Sequence, residues 1–296
     1  MKNDFIDLMS VFTISELIGP VDQNQDFEEV VKKIESIFNP RNSDDFKMDS
    51  TKFCPVVSSG DRPKYVIWGL NPHADEGLNG YTWGQLAEYH VPSNIYDENN
   101  VFDEVLLGHY YRNIGSIVNG LENNGYVAWS EWNKGNNKQK KLKYLKMIEN
   151  SPMAVIEMIP FASKKILTIT NEKMHELLSI ENRMDKYFHK LTHYILTKTE
   201  DNAWIICNGQ NVCEAFLMML NIENKKLEKV IDYKDDKGYS LYLMGGKRVL
   251  LFHDFLKRNN GKLNSNKQLS AMMYTVLTSL GIDATDIYND TPGVIS

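Results

Sequence analysis

The sequence predicts an α/β protein, built as a three-layer α/β/α sandwich around a central, mostly parallel four-stranded sheet. Short apolar runs rich in β-forming residues, such as Tyr65–Gly69, alternate along the chain with stretches of helical periodicity, such as Met184–Thr197. Each of four such runs ends in polar or turn residues. With 296 residues, the chain is long enough to bury one sizeable core with an appended segment.

The periodicity divides the chain into two parts. Residues 1–60 are predicted to form an N-terminal helical accessory segment, because Phe27–Phe38 places Val31 and Ile34 at helical spacing. Residues 61–296 are predicted to form a single α/β domain. The stretch near 81–150 is too long for a simple connection between strands, so we expect it to be a helical insertion.

The individual elements follow from the same patterns. Four strands are predicted to be parallel: Tyr65–Gly69, Met153–Met158, Ala203–Cys207 and Arg248–Phe252. Gly245-Gly246-Lys247 predicts a hairpin that joins Tyr239–Met244 to the last of these strands. Helices are predicted within Val101–Leu121 and at Leu142–Ile148, Asn171–Ser179, Met184–Thr197, Val212–Leu220 and Asn266–Leu280, with Asn133–Gln139 as an exposed loop.

Composition narrows the function classes. A net charge of −6 argues against broad non-specific binding to nucleic acid, although clustered lysines leave room for a local basic groove. The three cysteines form no CxxC pair, which argues against a disulfide framework and a four-cysteine metal site. We expect no metal and no other cofactor. The apolar runs are too short to span a bilayer, and Asp4 and Asp7 interrupt any signal peptide, so we expect a cytoplasmic protein without a membrane partner.

The polar ends of the four parallel strands are the candidate functional region. The ends are Asn71-Pro72-His73, Glu157–Phe161, Asn208-Gly209-Gln210 and His253-Asp254. Because parallel strands end at the same edge of a sheet, these groups should converge on one crevice, where ligands bind in open α/β sheets. Asn71 and His73 should project into that crevice.

Four short motifs at these ends resemble those of the uracil-DNA glycosylase superfamily. GLNPH resembles the Gly-x-Asn-Pro motif of the mismatch-specific and thymine-DNA glycosylase branch, and EMIPF occupies the place of the motif that binds the flipped base. WIICNGQNVCEAF and LLFHDFLKRNNGKLN follow in the family's order, and the resemblance spans Lys64–Leu280. Two positions depart from the family pattern: His73 replaces a glycine or tyrosine, and His-Asp-Phe replaces His-Pro-Ser.

The resemblance implies a monofunctional DNA glycosylase, which hydrolyses the N-glycosidic bond of a base rotated out of the duplex. It implies that Asn71 positions the attacking water and that His253 donates a hydrogen bond to the base carbonyl. The implied base-binding residues are His73, Glu157, Tyr81, Trp83 and Asn208, with His73 monitoring the base's substituent. The implied DNA-binding residues are Phe255 and Leu256 as wedge candidates, Lys257 and Arg258 as phosphate ligands, and Ser163 and Lys164.

Glu157 suggests which base is excised. Uracil-reading relatives typically carry asparagine there, and an ionised glutamate only accepts hydrogen bonds. It would repel O4 of uracil but accept from the N4 amino group of cytosine. Because removal of plain cytosine would be lethal, we expect a modified cytosine. Some anti-phage members of the superfamily excise glucosylated hydroxymethylcytosine, so phage DNA is one candidate partner, bound by a monomer.

Several alternatives stay open at the level of sequence. Glu157 could instead pair with Lys164 or Lys165. The chain could be a catalytically inactive module that binds nucleic acid or a protein, or a plain uracil or thymine-mismatch glycosylase. A hydrolase using His253 and Asp254 with Ser163 lacks the Gly-x-Ser-x-Gly elbow. No P-loop is present in the sequence.

Overall fold

The computed structural model describes residues 25–38, 41, 47–53, 56–58, 62–70, 109–163, 169–179, 184–256 and 261–288. Within these ranges the helices are α1 (Gln25–Phe38), α2 (His109–Glu122), α3 (Trp129–Trp132), α4 (Asn137–Asn150), α5 (Asn171–Leu178), α6 (Met184–Thr197), α7 (Gln210–Ile222), α8 (Lys234–Lys237) and α9 (Asn266–Ser279). The strands are β1 (Met48–Phe53), β2 (Val56–Ser58), β3 (Tyr65–Gly69), β4 (Met153–Glu157), β5 (Phe161–Ser163), β6 (Trp204–Asn208), β7 (Glu228–Tyr233), β8 (Tyr239–Met244) and β9 (Lys247–Phe252).

The main sheet has seven strands in the order β2-β4-β3-β6-β9-β8-β7. The predicted α/β class is confirmed, but the predicted four-stranded sheet is wrong in size. Its four strands, β4, β3, β6 and β9, are mutually parallel and occupy the centre. Antiparallel β2 flanks one side, and antiparallel β8 and β7 extend the other, which makes the sheet mixed.

Two apolar cores cover the two faces of the sheet. Side chains alternate along a strand, so Val66 and Trp68 point to one face while Tyr65 and Ile67 point to the other. The first core joins the Val66 face to α1, α5, α6 and α7. The second core joins the Tyr65 face to α2, α4 and α9. Helices therefore pack on both sides of the central strands.

The described part of the N-terminal segment packs against the main sheet and adds a strand to it. The predicted helix is present as α1, but the segment also contributes β1, which pairs with β5, and β2, which extends the main sheet. Glu35 of α1 accepts a 2.6 Å hydrogen bond from the backbone N–H of Met48 in β1. The description of residues 1–60 as a helical accessory segment therefore needs correction, because its described part supplies strands and shares the first core.

The described part of the predicted helical insertion, residues 109–150, forms α2, α3 and α4. The loop predicted at Asn133–Gln139 is wrong at its end, since α4 begins at Asn137. Asn136 caps this helix by accepting from the N–H of Gln139, whose side chain accepts in turn from the N–H of Asn136. No helix of the described ranges is both long and apolar enough to cross a membrane.

Because α1 shares the first core with the sheet, a core substitution in α1 should destabilise the whole protein. Ile34 is fully buried in the first core. Ile34→Ala should lower the free energy of unfolding of the whole protein by about 2–5 kcal/mol, because it leaves a cavity in a shared core. Chemical denaturation followed by tryptophan fluorescence measures this, with exposed Lys32→Ala as the control. Unfolding of the sheet at an unchanged denaturant concentration would contradict the shared core.

Candidate functional site

The strand register brings three of the predicted residues to one edge of the sheet. Gly69 of β3 is paired with Glu157 of β4, and Asn208 of β6 is paired with Phe252 of β9, directly before His253. Neighbouring strands lie about 4.8 Å apart, so the backbones of Glu157 and Asn208, two strands apart, are roughly 10 Å from each other. The carboxyl ends of the central strands thus form a continuous row.

Glu157 lies against the backbone of Gly69. A Cβ atom added at Gly69 would come within 2.2 Å of Oε2 of Glu157, which is far inside van der Waals contact. The side chain belongs to the face that carries Val155 and therefore to the side of the second core. The Tyr187 hydroxyl donates a 2.5 Å hydrogen bond to the carbonyl of Glu157 and holds the end of β4. Gly69 thus provides the space that the carboxyl group occupies.

The carboxyl group of Glu157 is buried, and none of the described residues provides a counter-charge for it. Its exposed fraction is 7%, and Oε2 has no hydrogen-bond partner among the residues that the structure describes. Burial raises the pKa of Glu157 to about 8. The group is therefore mostly protonated at neutral pH and both donates and accepts hydrogen bonds. The expectation of a cytosine-type base assumed that Glu157 is ionised, and the raised pKa removes that assumption.

Asn208 and Asn113 hold the loop that follows β9. Oδ1 of Asn208 accepts a 3.2 Å hydrogen bond from the N–H of Leu256, and Nδ2 of Asn113 donates a 3.1 Å bond to the Leu256 carbonyl. The Leu256 side chain is 5% exposed within the second core. The wedge role considered for Leu256 therefore does not fit, because the side chain is committed to the core. Asn208, expected to bind the base, uses its amide oxygen to anchor this loop.

Phe255 is the exposed member of the wedge pair, with 38% of its surface accessible. Its ring lies over Gly209, where an added Cβ would be 2.9 Å from Cζ of Phe255. Gly209 also has a φ of +110°, a conformation that residues with a Cβ rarely adopt. The glycine after β6 therefore permits both the turn into α7 and the close approach of the aromatic ring.

His253 is 7% exposed, and its ring is fixed from one side. Nε2 lies 3.0 Å from Oγ of Ser240, which donates a 3.1 Å hydrogen bond to Oδ1 of Asp232. Ser240 is paired with Leu251, whose side chain lies in the first core, so this contact is on the opposite face from Glu157. His253 and Glu157 thus share an edge of the sheet but not a face. Burial and then Lys234 lower the pKa of His253.

The described contacts do not form the hydrolase arrangement of His253, Asp254 and Ser163. Nε2 of His253 contacts Ser240, while Oδ2 of Asp254 accepts a 3.1 Å hydrogen bond from the N–H of Lys262. Ser163 is fully buried in β5. The same burial argues against the DNA-binding role expected of Ser163, because a phosphate cannot reach a hydroxyl with no exposed surface.

Seven predicted residues lie outside the part whose positions or side chains are described: Asn71, His73, Tyr81, Trp83, Lys164, Lys257 and Arg258. Their roles stay predictions. Three residues that contact the predicted ones were not predicted from the sequence: Asn113, Asp232 and Ser240. Ser240 carried a usable signal, because it is a polar residue inside the apolar run YSLYLM. Asn113 and Asp232 carried none, since single polar residues on a helix and an edge strand are common.

Comparisons of this chain with protein-family models, with curated proteins and with solved structures found no match. Within the described ranges, no cluster of three or more His, Cys, Asp or Glu side chains could hold a metal ion. The chemistry of the site is therefore argued from its own residues.

The contact between Gly69 and Glu157 makes a testable prediction. Gly69 does not have a positive φ, and the three described atoms nearest to an added Cβ all belong to the carboxyl group of Glu157. Gly69→Ala should lower the free energy of unfolding by about 1–3 kcal/mol through overpacking. Glu157→Ala in the same chain should recover most of that loss, as a double-mutant cycle measured by urea denaturation would show. Additive effects of the two substitutions would contradict the contact.

The raised pKa of Glu157 predicts a pH-dependent stability. The folded state holds the proton up to about pH 8 while the unfolded state releases it near 4.5, so the folded state binds more protons between these values. The unfolding free energy contributed by Glu157 is thus greatest at low pH and falls as the pH rises through this window.

We therefore expect wild type to lose up to about 3 kcal/mol relative to Glu157→Gln between about pH 5 and about pH 7.5. The difference between the two proteins, measured by denaturant unfolding at each pH, cancels the titration of His253 and other groups. A constant difference across this range would show that Glu157 is ionised in the folded protein.

Proposed function

We propose that the protein is a monofunctional DNA glycosylase that excises a modified cytosine and leaves an abasic site. The observation that carries the proposal is the buried carboxyl group of Glu157, at the carboxyl end of β4, beside Gly69 of β3. Gly69 lies two residues before Asn71 in sequence. A buried polar group without a protein partner costs free energy, which is typical of groups that are satisfied by a ligand.

The neutral carboxyl group fits the Watson–Crick edge of a flipped cytosine. It donates to the ring nitrogen N3 and accepts from the N4 amino group, which gives two parallel hydrogen bonds. The same neutral group also fits uracil or thymine, donating to O4 and accepting from N3–H. The ionised group keeps one partner on either base, the N4 amino group of cytosine or N3–H of uracil, and meets an acceptor beside it, N3 or O4. The carboxyl group is therefore compatible with both bases. A substituted cytosine is proposed because anti-phage members of the superfamily that the motifs resemble excise such a base, and because its removal avoids damage to unmodified DNA.

The reaction is a hydrolysis. Water attacks C1′ of the deoxyribose, the bond between C1′ and the base breaks, and its electron pair leaves with the base, which then gains a proton. By resemblance, Asn71 would orient the water. Phe255, exposed on an anchored loop, would fill the space left in the duplex, while Lys257 and Arg258 would bind phosphates. Glucosylated hydroxymethylcytosine in phage DNA is the substrate that this assignment favours, with His73 beside the substituent.

The decisive assay presents wild type with duplexes that carry uracil, mismatched thymine, cytosine, hydroxymethylcytosine or glucosylated hydroxymethylcytosine. Mass spectrometry of the released bases should detect the modified cytosine, with release reduced at least roughly 10²-fold in Asn71→Ala. Glu157→Ala should also lose activity, whereas Glu157→Gln should keep most of it, since the amide supplies one donor and one acceptor as the neutral carboxyl group does. Release of uracil with no activity on cytosine derivatives would overturn the base assignment.

An inactive nucleic-acid-binding module is the second candidate. It is favoured by the use of Asn208 as a loop anchor and by the departure from the family's His-Pro-Ser motif. Asn71→Ala separates the two candidates. An enzyme loses turnover and keeps its affinity for DNA in a gel-shift assay, whereas a binding module releases no base before or after the substitution.

A further inference from the structure

A chain of two hydrogen bonds connects Asp232 on β7, Ser240 on β8 and His253 after β9. The distances are 3.1 Å from Oγ of Ser240 to Oδ1 of Asp232 and 3.0 Å from the same Oγ to Nε2 of His253. Ser240 is fully buried. The backbone N–H of His253 also donates a 2.9 Å bond to the carbonyl of Gly238. Ring and backbone of His253 are thus both fixed to the β7–β8 hairpin.

The chemistry of the three groups decides where the protons lie. An ionised carboxylate only accepts, so the single hydroxyl proton of Ser240 points to Asp232. Oγ then faces Nε2 with a lone pair, and the hydrogen bond forms only if Nε2 carries a proton. In a neutral imidazole with a proton on Nε2, Nδ1 is an acceptor.

Nδ1 of His253 is buried and has no hydrogen-bond partner within the described ranges. The charged groups around the ring are Asp232 on β7, Lys234 and Asp235 on α8, and Asp254 in the following loop. Burial and Lys234 outweigh the three carboxylates and lower the pKa of His253, which keeps the ring neutral at pH 7. The neutral ring therefore has a lone pair on Nδ1 that no described residue uses.

We infer that Asp232 and Ser240 are positioning residues that hold His253 as a hydrogen-bond acceptor for an N–H or O–H group of the bound nucleotide. This inference rests on the proposed function. It reverses the donor role that the resemblance implied for His253. A cytosine-type nucleotide supplies such donors in its amino group and in the hydroxyls of a hydroxymethyl or sugar substituent, whereas the base carbonyl supplies none.

Asp232→Asn tests the direction of the two hydrogen bonds that Ser240 makes. The asparagine amide can donate to Oγ of Ser240, which frees the hydroxyl to donate to Nε2 and moves the imidazole proton to Nδ1. The acceptor becomes a donor, and base release should fall by roughly 10²-fold or more. Asp235→Asn is the matched control, because it removes the same charge near His253 without touching Ser240, and it should keep activity within a few-fold of wild type.

The pH dependence gives a second kinetic readout. If Nδ1 accepts, base release should fall at acidic pH as His253 gains its second proton, with a midpoint below about 6.5. Ser240→Ala leaves Nε2–H without its partner, so this midpoint should move to lower pH and the maximal rate should drop. A rate that instead rises on acidification through this range would show that His253 acts as a donor and would overturn the inference.

Nitrogen-15 NMR of histidine-labelled protein reads the tautomer without requiring any turnover. Wild type and Asp235→Asn should show the Nε2–H form of His253, and Asp232→Asn should show the Nδ1–H form. An Nδ1–H form in wild type, or an unchanged tautomer in Asp232→Asn, would overturn the inference. If the tautomers are as expected but no DNA releases a base, the proposed function fails while the acceptor geometry stands.

Comparing substrates identifies the donor group. Loss of activity in Asp232→Asn on both 5-methylcytosine and hydroxymethylcytosine duplexes would assign the contact to the amino group. Loss confined to hydroxymethylcytosine would assign it to the hydroxyl. Equal activity of Asp232→Asn and wild type on every cleaved duplex would overturn the inference.

Discussion

Gly69 and Glu157 are paired across two neighbouring parallel strands, and the candidate site depends on that pairing. The glutamate side chain reaches back over the sheet edge only because the opposite residue has no Cβ. In this position the carboxyl group leaves water, and among the described residues it gains no ionic partner, so burial raises its pKa and it keeps its proton. One missing side chain on β3 therefore sets both the location and the charge of the main polar group on β4.

The carboxyl ends of the central strands carry different polar groups on the two faces of the sheet. Glu157 and Asn208 are on the side of the second core, whereas the contact of His253 with Ser240 is on the side of the first. A neutral acid and a neutral imidazole therefore approach the edge from opposite faces. Such an arrangement suits an uncharged, polar planar ligand better than an anion, since neither Glu157 nor His253 supplies a positive charge.

Much of this arrangement could be predicted from the sequence, and the failures have physical causes. The central strands were predictable because apolar runs such as Tyr65–Gly69 are buried on both faces. The two outermost strands of the main sheet were not, because β2 has three residues and β7 exposes Glu228 and Lys229, so neither leaves an apolar pattern. The edge position of Glu157 followed from topology. Its protonation did not, because that depends on the three-dimensional surroundings of the carboxyl group. The same holds for Asp232, which lies distant from His253 in sequence.

The two hydrogen bonds to the Leu256 backbone have a mechanical consequence. Asn208 holds its N–H from β6, and Asn113 holds its carbonyl from α2, so the residue next to exposed Phe255 is fixed to both the sheet and a helix. A side chain that separates stacked bases is pushed back by them, and a flexible loop would yield to that force. If Phe255 separates bases as proposed, the load on its ring would pass through the anchored Leu256 peptide into β6 and α2, and that peptide would be the part that resists compression.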